Sequence, residues 1–99
     1  MRSWTLRAFQ WSGLACSWLI ACSVQAADEF AVAIQDHRFQ PAEVRVPANR
    51  KVKLVITNRD ATAEEFESHA LNREKIVPPG GTVAVFIGPL GPGRYPFFG

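Results

Sequence analysis

Three carboxylates and one imidazole lie within six consecutive positions, in the segment EEFESH at residues 64–69. Carboxylate and imidazole ligands together suit Fe(II), Fe(III) or Mn(II) better than Cu(I), which prefers thiolate or thioether sulfur. The segment therefore contains the side chains for a weak divalent-metal site. Its candidate ligands are Glu64, Glu65, Glu67 and His69.

Strand geometry limits how many of these side chains can bind one ion. In a β-strand successive side chains point to opposite faces, so Glu64 shares a face with Phe66. The opposite face carries Glu65, Glu67 and His69. We therefore expect the metal ligands to be Glu65 with Glu67, or Glu65 with His69, completed by water or by residues beyond Gly99. With so few protein ligands the affinity should be modest and should fall in acid, as the ligands take up protons.

A solvated strand face is the alternative to a metal site. In that case the acidic side chains would pair with Arg73 and Lys75, which follow across a turn. The second histidine of the chain, His37, follows Asp36 in a polar loop, and we expect it to be an exposed loop residue.

The elements that must position these side chains are short β-strands. Alternating apolar residues predict strands at residues 30–35, 43–48 and 51–58, a buried strand at 83–87 and a final aromatic strand that reaches residue 98. No helix of ordinary length fits. Strands at roughly ten-residue spacing, separated by turn signals such as VPPGGT, are typical of an all-β sandwich or barrel.

Residues 1–26 read as an export signal peptide. Arg2 and Arg7 supply positive charge without any acid, and residues 9–24 are mostly apolar. The segment VQA at 24–26 offers the small residues that a cleavage site requires. The apolar stretch is short for a membrane span, which needs roughly 20 residues.

Cleavage before Ala27 or Asp28 predicts a periplasmic domain over residues 27–99, with no membrane span in the mature chain. The alternative is a lipoprotein. The segment LIAC at 19–22 fits a lipoprotein box and would place the lipid on Cys22.

Charge and sulfur content exclude two classes of function for the mature segment. The whole chain has a net charge of +2, but removing Arg2 and Arg7 leaves nine basic residues (11 − 2) against nine acidic ones. A neutral chain without a basic stripe has no electrostatic footprint for nucleic acid. Both cysteines and the single methionine lie in the predicted leader, which excludes disulfides and cysteine redox chemistry afterwards.

The segments FQPAEVRVPANRKVKLVITNRD, EFE and VPPGGTVAVFIGPLGPGRYPFF resemble cupredoxin-like domains of the EfeO type, over residues 29–99. EEFESHALNREK with GRYPFFG is similar to the small periplasmic cupredoxins of Ftr-type ferrous-iron transport systems. The resemblance implies a cupredoxin-like Greek-key β-sandwich. Members of that group normally continue with a loop and a closing strand. We therefore expect a C-terminally truncated domain with Phe97 and Phe98 at an open sheet edge.

The resemblance also implies where relatives bind metal. The first histidine of copper-binding relatives maps to Glu64 and their cysteine maps to Gly99, so no type 1 copper site is expected. Iron-transport relatives use a cysteine, a glutamate and a second cysteine, which map to Phe39, Glu65 and Gly99. Of these ligands only the glutamate is present here.

In function, the resemblance implies an accessory protein of an iron-uptake system and not an independent enzyme. Such a protein would bind iron or copper weakly, or assist Fe(II) oxidation and delivery to a permease. Its partners would be an iron permease and a periplasmic iron-binding protein. The alternative is a metal-free interaction module that docks the permease or another periplasmic component.

Overall fold

A computed structural model of the protein describes residues 3–10 and 27–99. Within these residues the chain forms β-strands and no helix, so no helix there could cross a membrane. The all-β prediction is confirmed. The strands are β1 (Ser3–Phe9), β2 (Asp28–Gln35), β3 (Arg38–Gln40), β4 (Glu43–Pro47), β5 (Val52–Asn58), β6 (Glu64–Ser68), β7 (Arg73–Val77), β8 (Thr82–Ile87) and β9 (Gly93–Phe98).

The strands form two sheets that enclose one core. The first sheet has the order β4-β1-β9-β6-β7, and the second has the order β3-β2-β5-β8. Both sheets are mixed, because β1 runs parallel to β4 and β2 runs parallel to β5, whereas the other pairs are antiparallel. The architecture is a β-sandwich, as the strand spacing predicts.

Alternation along the strands places the core between the sheets. In β5 the predicted inward residues Val52, Leu54 and Ile56 are buried, and their neighbours along the strand are only partly covered. Val32 and Ile34 of β2 are buried in the same layer. Each such side chain contributes about 1.5–3 kcal/mol of stabilisation when it leaves water.

An aromatic cluster fills one part of this core. The Phe97 side chain is fully buried, and its ring centroid lies 5.0 Å from that of Phe39 and 5.1 Å from that of Phe66. The predicted open edge at Phe97 and Phe98 is therefore wrong for this structure. β9 lies between β1 and β6, and β1 pairs with β9 along the whole length of β9. β9 is therefore not at an edge of the sheet.

β1 comes from the segment that the sequence assigns to an export leader. Its residues Leu6 and Ala8 are buried in the core. Residues 11–26, with the predicted cleavage site and the lipoprotein cysteine, lie outside the described residues. Leader cleavage and the domain boundary at residue 27 stay predictions.

Candidate functional site

Asn58 organises the loop that follows β5. Its side chain is fully buried, and its amide nitrogen donates to the carbonyl oxygens of Thr62, Val77 and Pro78 at 2.8, 3.1 and 3.2 Å. Its side-chain oxygen accepts from the backbone N–H of Asp60 at 2.9 Å. Because a buried amide needs such partners, the loop has a fixed shape that directs Asp60 toward the turn between β2 and β3.

Asp60 stabilises that turn. Asp36 and His37 have φ angles of 54° and 59°, and they connect the paired residues Gln35 and Arg38. Positive φ at both central positions suits a two-residue hairpin but is costly for residues other than glycine. The Asp60 carboxylate accepts the backbone N–H groups of Asp36 at 2.8 Å and His37 at 2.9 Å. These hydrogen bonds, led by that from His37, lower the pKa of Asp60.

The turn places the His37 imidazole against Glu64. The Nδ1 atom of His37 lies 2.5 Å from the Oε1 atom of Glu64 and 3.7 Å from the Oδ2 atom of Asp60. The hydrogen bond to Glu64, then the negative charges of Glu64 and Asp60, raise the pKa of His37 above its ordinary value of 6.5. His37 therefore keeps its proton to a higher pH than a free histidine does.

The group is sheltered on its acidic side and open on its imidazole side. The Asp60 and Glu64 side chains are 12% and 13% exposed, whereas the His37 side chain is 73% exposed. One ligand atom from each residue lies within 4.8 Å of the other two. An imidazole and two carboxylates form a donor set for Fe(II), Mn(II) or a similar cation, which could enter from the solvent side.

The short contact between His37 and Glu64 is a hydrogen bond that an incoming cation must open. Two ligand atoms at right angles on an ion with bonds of about 2.1 Å lie about 3.0 Å apart. The separation of 2.5 Å is shorter than this. Because the His37 side chain is exposed, a small rotation of the imidazole could supply the extra space.

Glu64 is the one predicted ligand that belongs to this group. As alternation predicts, Phe66 and Ser68 are buried, and Glu65 and Glu67 lie on the outer face of β6. Burial raises the pKa of Glu65, and the hydrogen bond to Glu67 adds to the effect. The structure therefore does not bring all four predicted ligands together.

The remaining predicted ligands lie along β6 and beyond its far end. The Nε2 atom of His69 is 3.6 Å from the Oε1 atom of Glu67. Across the strand pair Glu67 stands opposite Glu74, and Arg73 donates to the carbonyl oxygens of Phe86 and Asn72 at 2.9 Å each. The carboxylate of Glu67 thus has an acidic cross-strand neighbour. Metal binding by Glu65, Glu67 and His69 stays a prediction.

Two members of the group, His37 and Asp60, were not predicted as ligands. His37 is exposed as expected, but its ring contacts Glu64, which lies 27 residues away in sequence. Asp60 reaches His37 across 23 residues. The sequence contains a weak signal for this contact, because a two-residue Asp-His connection between strands requires positive φ and hence outside support.

The positions to which the family resemblance assigns iron ligands are also close together. A Cβ atom added at Gly99 would lie 2.8 Å from Cε2 of Phe39 and 3.5 Å from the backbone oxygen of Glu65. The Phe39 ring fills the space next to Gly99. Of the three positions only Glu65 carries a ligand side chain, so this corner is not a complete metal site.

Comparison with known proteins shows a family and a relative to which the chain is similar. The sequence matches the cupredoxin-like domain family over residues 8–99. It is 49% identical over 71 residues to an uncharacterized protein of Rickettsia prowazekii (strain Madrid E). That alignment covers 72% of this chain and 57% of the Rickettsia protein, so the chain spans little more than half the length of that relative.

Proposed function

The chain belongs to the family of cupredoxin-like domains, and on that premise we propose that it is a periplasmic metal-binding accessory protein of an iron-uptake system. The observation that carries the proposal is the convergence of His37, Asp60 and Glu64, whose ligand atoms lie within 4.8 Å of one another. The three residues come from two loops and a strand, and they meet at one end of the sandwich.

A type 1 copper centre does not fit these residues. Such a centre requires a cysteine thiolate, two histidines and usually an axial methionine. Residues 3–10 and 27–99 contain neither cysteine nor methionine. The donor set of one imidazole and two carboxylates instead favours a harder divalent cation, with Fe(II) as the proposed cargo.

The chemistry of the group suits reversible loading. Three protein ligands leave the other positions on an ion to water, so bound iron could be passed on to a permease or a periplasmic iron-binding protein. Binding requires neutral His37, whose raised pKa makes the proton a competitor of the metal. Iron would therefore bind more tightly as the pH rises, and it would leave in acid. Glu65 and Glu67 on the outer face of β6, with His69 just after the strand, remain a second candidate set of ligands.

A metal-free docking module is the second candidate function. Ile76 on the edge strand β7 is 63% exposed. It lines an open depression together with Ala63, Glu64, Glu65 and Gly99. An exposed apolar residue beside a carboxylate would suit contact with a permease or another periplasmic component.

Calorimetric titration with Fe(II) and Mn(II) under argon separates the two candidate functions. We expect the wild type to bind one ion and Asp60→Asn/Glu64→Gln to lose on the order of tenfold or more in affinity. The matched control is Glu65→Gln/Glu67→Gln, which removes the same number of negative charges from the outer face of β6. Equal binding by the first variant and the wild type, with loss of binding in the control, would move the site to Glu65, Glu67 and His69. No binding by the wild type would favour the docking module.

The iron-uptake role has its own test in cells. Deleting the gene should reduce uptake of radioactive iron, and the wild-type gene should restore it. If the metal group carries the function, Asp60→Asn/Glu64→Gln should restore little uptake, whereas Glu65→Gln/Glu67→Gln should restore most of it. Unchanged uptake after deletion would contradict the assignment to iron transport.

A further inference from the structure

Three arginines lie side by side on the outer face of the five-stranded sheet. Arg7 of β1 stands opposite Arg45 of β4 and opposite Arg94 of β9. All three are exposed, because the inward positions of these strands go to residues such as Leu6, which is fully buried. Like charges directly opposite each other destabilise a sheet, so a carboxylate placed over these guanidinium groups would be stabilising. The three residues are here called the arginine row.

The sheet itself neutralises only part of the arginine row. The Oε2 atom of Glu43 lies 3.2 Å from the Nε atom of Arg45, on the same strand. In the part of the chain that the structure describes, neither Arg7 nor Arg94 forms an ion pair. Because a planar guanidinium can bind a carboxylate through two parallel hydrogen bonds, these two side chains are available to an external carboxylate.

The same face carries carboxylates at its opposite side. Glu65 and Glu67 lie on the outer face of β6, and Glu74 of β7 stands directly opposite Glu67. Burial, the hydrogen bond with Glu67 and the negative charge of Glu74 raise the pKa of Glu65, as expected where carboxyl groups lie close together. Glu65, Glu67 and Glu74 are here called the acidic end.

The basic residues of β7 are directed away from the acidic end. Arg73 stands opposite the buried Ser68 and donates to the carbonyl oxygen of Phe86, in the other sheet, at 2.9 Å. Lys75 stands opposite Phe66, whose side chain is buried in the core. Because directly paired residues share a face of the sheet, both cations belong to its inner side. The outer face is therefore positive over β4, β1 and β9 and negative over β6 and β7.

We propose that the outer face of the five-stranded sheet binds the same face of a second copy of this chain, with the arginine row of each copy on the acidic end of the other. A two-fold axis between the facing sheets forms both contacts at once, and such a contact requires one surface that carries both charges. Thr5, Pro96 and Phe98 lie between the two ends on the outer face, and they form the uncharged centre of the contact. The proposal concerns the chain with β1 in place and does not depend on metal binding.

The size of the face determines how strong the dimer is. Five strands about 4.8 Å apart, each about six residues long at 3.3 Å per residue, give a face of roughly 24 by 20 Å. A contact of this size is at the low end of specific interfaces, so we expect a weak dimer with a Kd of about 1–100 μM.

Sedimentation velocity of the full chain, made without export and kept in a chelator, tests the dimer. At about 0.1 mM protein we expect dimers in about 20 mM salt and monomers in about 500 mM salt, because the Debye length falls from roughly 20 Å to roughly 4 Å. Arg7→Gln/Arg94→Gln should weaken the dimer at least tenfold in low salt. The matched control Arg38→Gln/Arg59→Gln removes two exposed charges outside this sheet, and its Kd should stay within about threefold of the wild-type value.

A charge exchange identifies which groups meet. Arg7→Glu/Arg94→Glu, here the acidic variant, and Glu67→Lys/Glu74→Lys, here the basic variant, should each be monomeric in low salt. Mixed in equal amounts, they should form a heterodimer, because the exchange restores opposite charges at both contacts. Circular dichroism and thermal unfolding show whether each variant is folded before mixing.

The control for nonspecific attraction is a mixture of the basic variant with Arg38→Glu/Arg59→Glu, which should associate at least tenfold more weakly than the exchanged pair. A wild type that stays monomeric in low salt would overturn the proposal. So would a dimer that Arg7→Gln/Arg94→Gln leaves unchanged, or an exchanged pair that associates no better than the control mixture. If a charge-reversed variant does not fold, the comparison of Arg7→Gln/Arg94→Gln with its matched control decides between the outcomes.

Discussion

The Nδ1 atom of His37 lies 2.5 Å from the Oε1 atom of Glu64, and this contact joins the two sheets of the sandwich at one end. His37 is in the turn between β2 and β3 of one sheet, and Glu64 begins β6 of the other. The pair can therefore act in two ways. It is an ion pair between sheets when the imidazole is protonated, and with Asp60 it is a set of metal ligands when the imidazole is neutral.

The pKa of His37 should depend on the carboxylates of both Glu64 and Asp60. We expect its pKa, measured by NMR titration of the imidazole signals, to lie above 6.5, because Glu64 and Asp60 both stabilise the protonated ring. Glu64→Gln should lower the pKa of His37, because it removes the hydrogen bond and the negative charge that raise it most. A His37 titration that is the same in wild type and variant would show that the two side chains do not interact in solution.

The same pair should make stability depend on pH. Because folding raises the pKa of His37, its contribution is fully present below the ordinary value of 6.5 and is lost as the pH rises through the folded-state pKa. Urea unfolding at pH 5.5 should therefore show a larger stability difference between wild type and His37→Gln than unfolding at pH 9. The lowered pKa of Asp60 makes stability depend on pH only below its ordinary value of 3.8, which is outside the range from pH 5.5 to pH 9. A difference that grows with pH would contradict this sign.

The turn can be separated from the metal group by one double substitution. Asp36→Asn/His37→Gly introduces the pair that a two-residue hairpin with positive φ prefers, and it keeps both backbone N–H groups for Asp60. At pH 9 the ion pair between His37 and Glu64 contributes least to stability. There we expect the variant to have a free energy of unfolding about 1 kcal/mol higher than that of the wild type. It should nevertheless bind Mn(II) much more weakly. If the variant loses both stability and Mn(II) binding, His37 would be needed to stabilise the turn and would not be shown to bind the metal itself.

The Asn58 side chain should contribute to the stability of the protein and to metal binding, because it holds the loop that carries Asp60. Asn58→Ala removes the amide that serves the carbonyl oxygens of Thr62, Val77 and Pro78, and it frees the loop that holds Asp60. We expect a loss of about 3 kcal/mol in the free energy of unfolding, measured in urea.

The matched control for Asn58 is Thr57→Ala, one position earlier on β5. The Thr57 hydroxyl shares an exposed hydrogen bond of 3.1 Å with Thr82, so the loss should be below about 1 kcal/mol. Similar losses in the two variants would show that the buried amide does not organise the loop.

Local patterns were sufficient to predict β2, β4, β5, β8 and β9 and much of the core, but they did not predict β1, β3 or β7. The alternation in KVKLVITN predicts that Val52, Leu54 and Ile56 point inward, and the structure buries all three. The same rule places Phe66 inside and Glu65 outside on β6. Such predictions succeed because the two-residue period of a strand is a local property of the chain.

The candidate site could not be predicted in the same way. His37, Asp60 and Glu64 come from separate segments, and only the packing of the two sheets and the hydrogen bonds of Asn58 bring them together. The position of β1 was missed for a different reason. An apolar segment after a positive start has the composition of a leader, and alternation over so few residues does not distinguish a leader from a central strand.

The most direct test of the metal site is Mn(II)-induced broadening of NMR signals. Substoichiometric Mn(II) should selectively broaden the His37 ring and the backbone amides of Asp60 and Glu64, and Asp60→Asn/Glu64→Gln should abolish the effect. The amides of Glu67 and His69 should broaden less in the wild type. Broadening centred on Glu65, Glu67 and His69, or broadening that persists in the double variant, would contradict the assignment of the site to His37, Asp60 and Glu64.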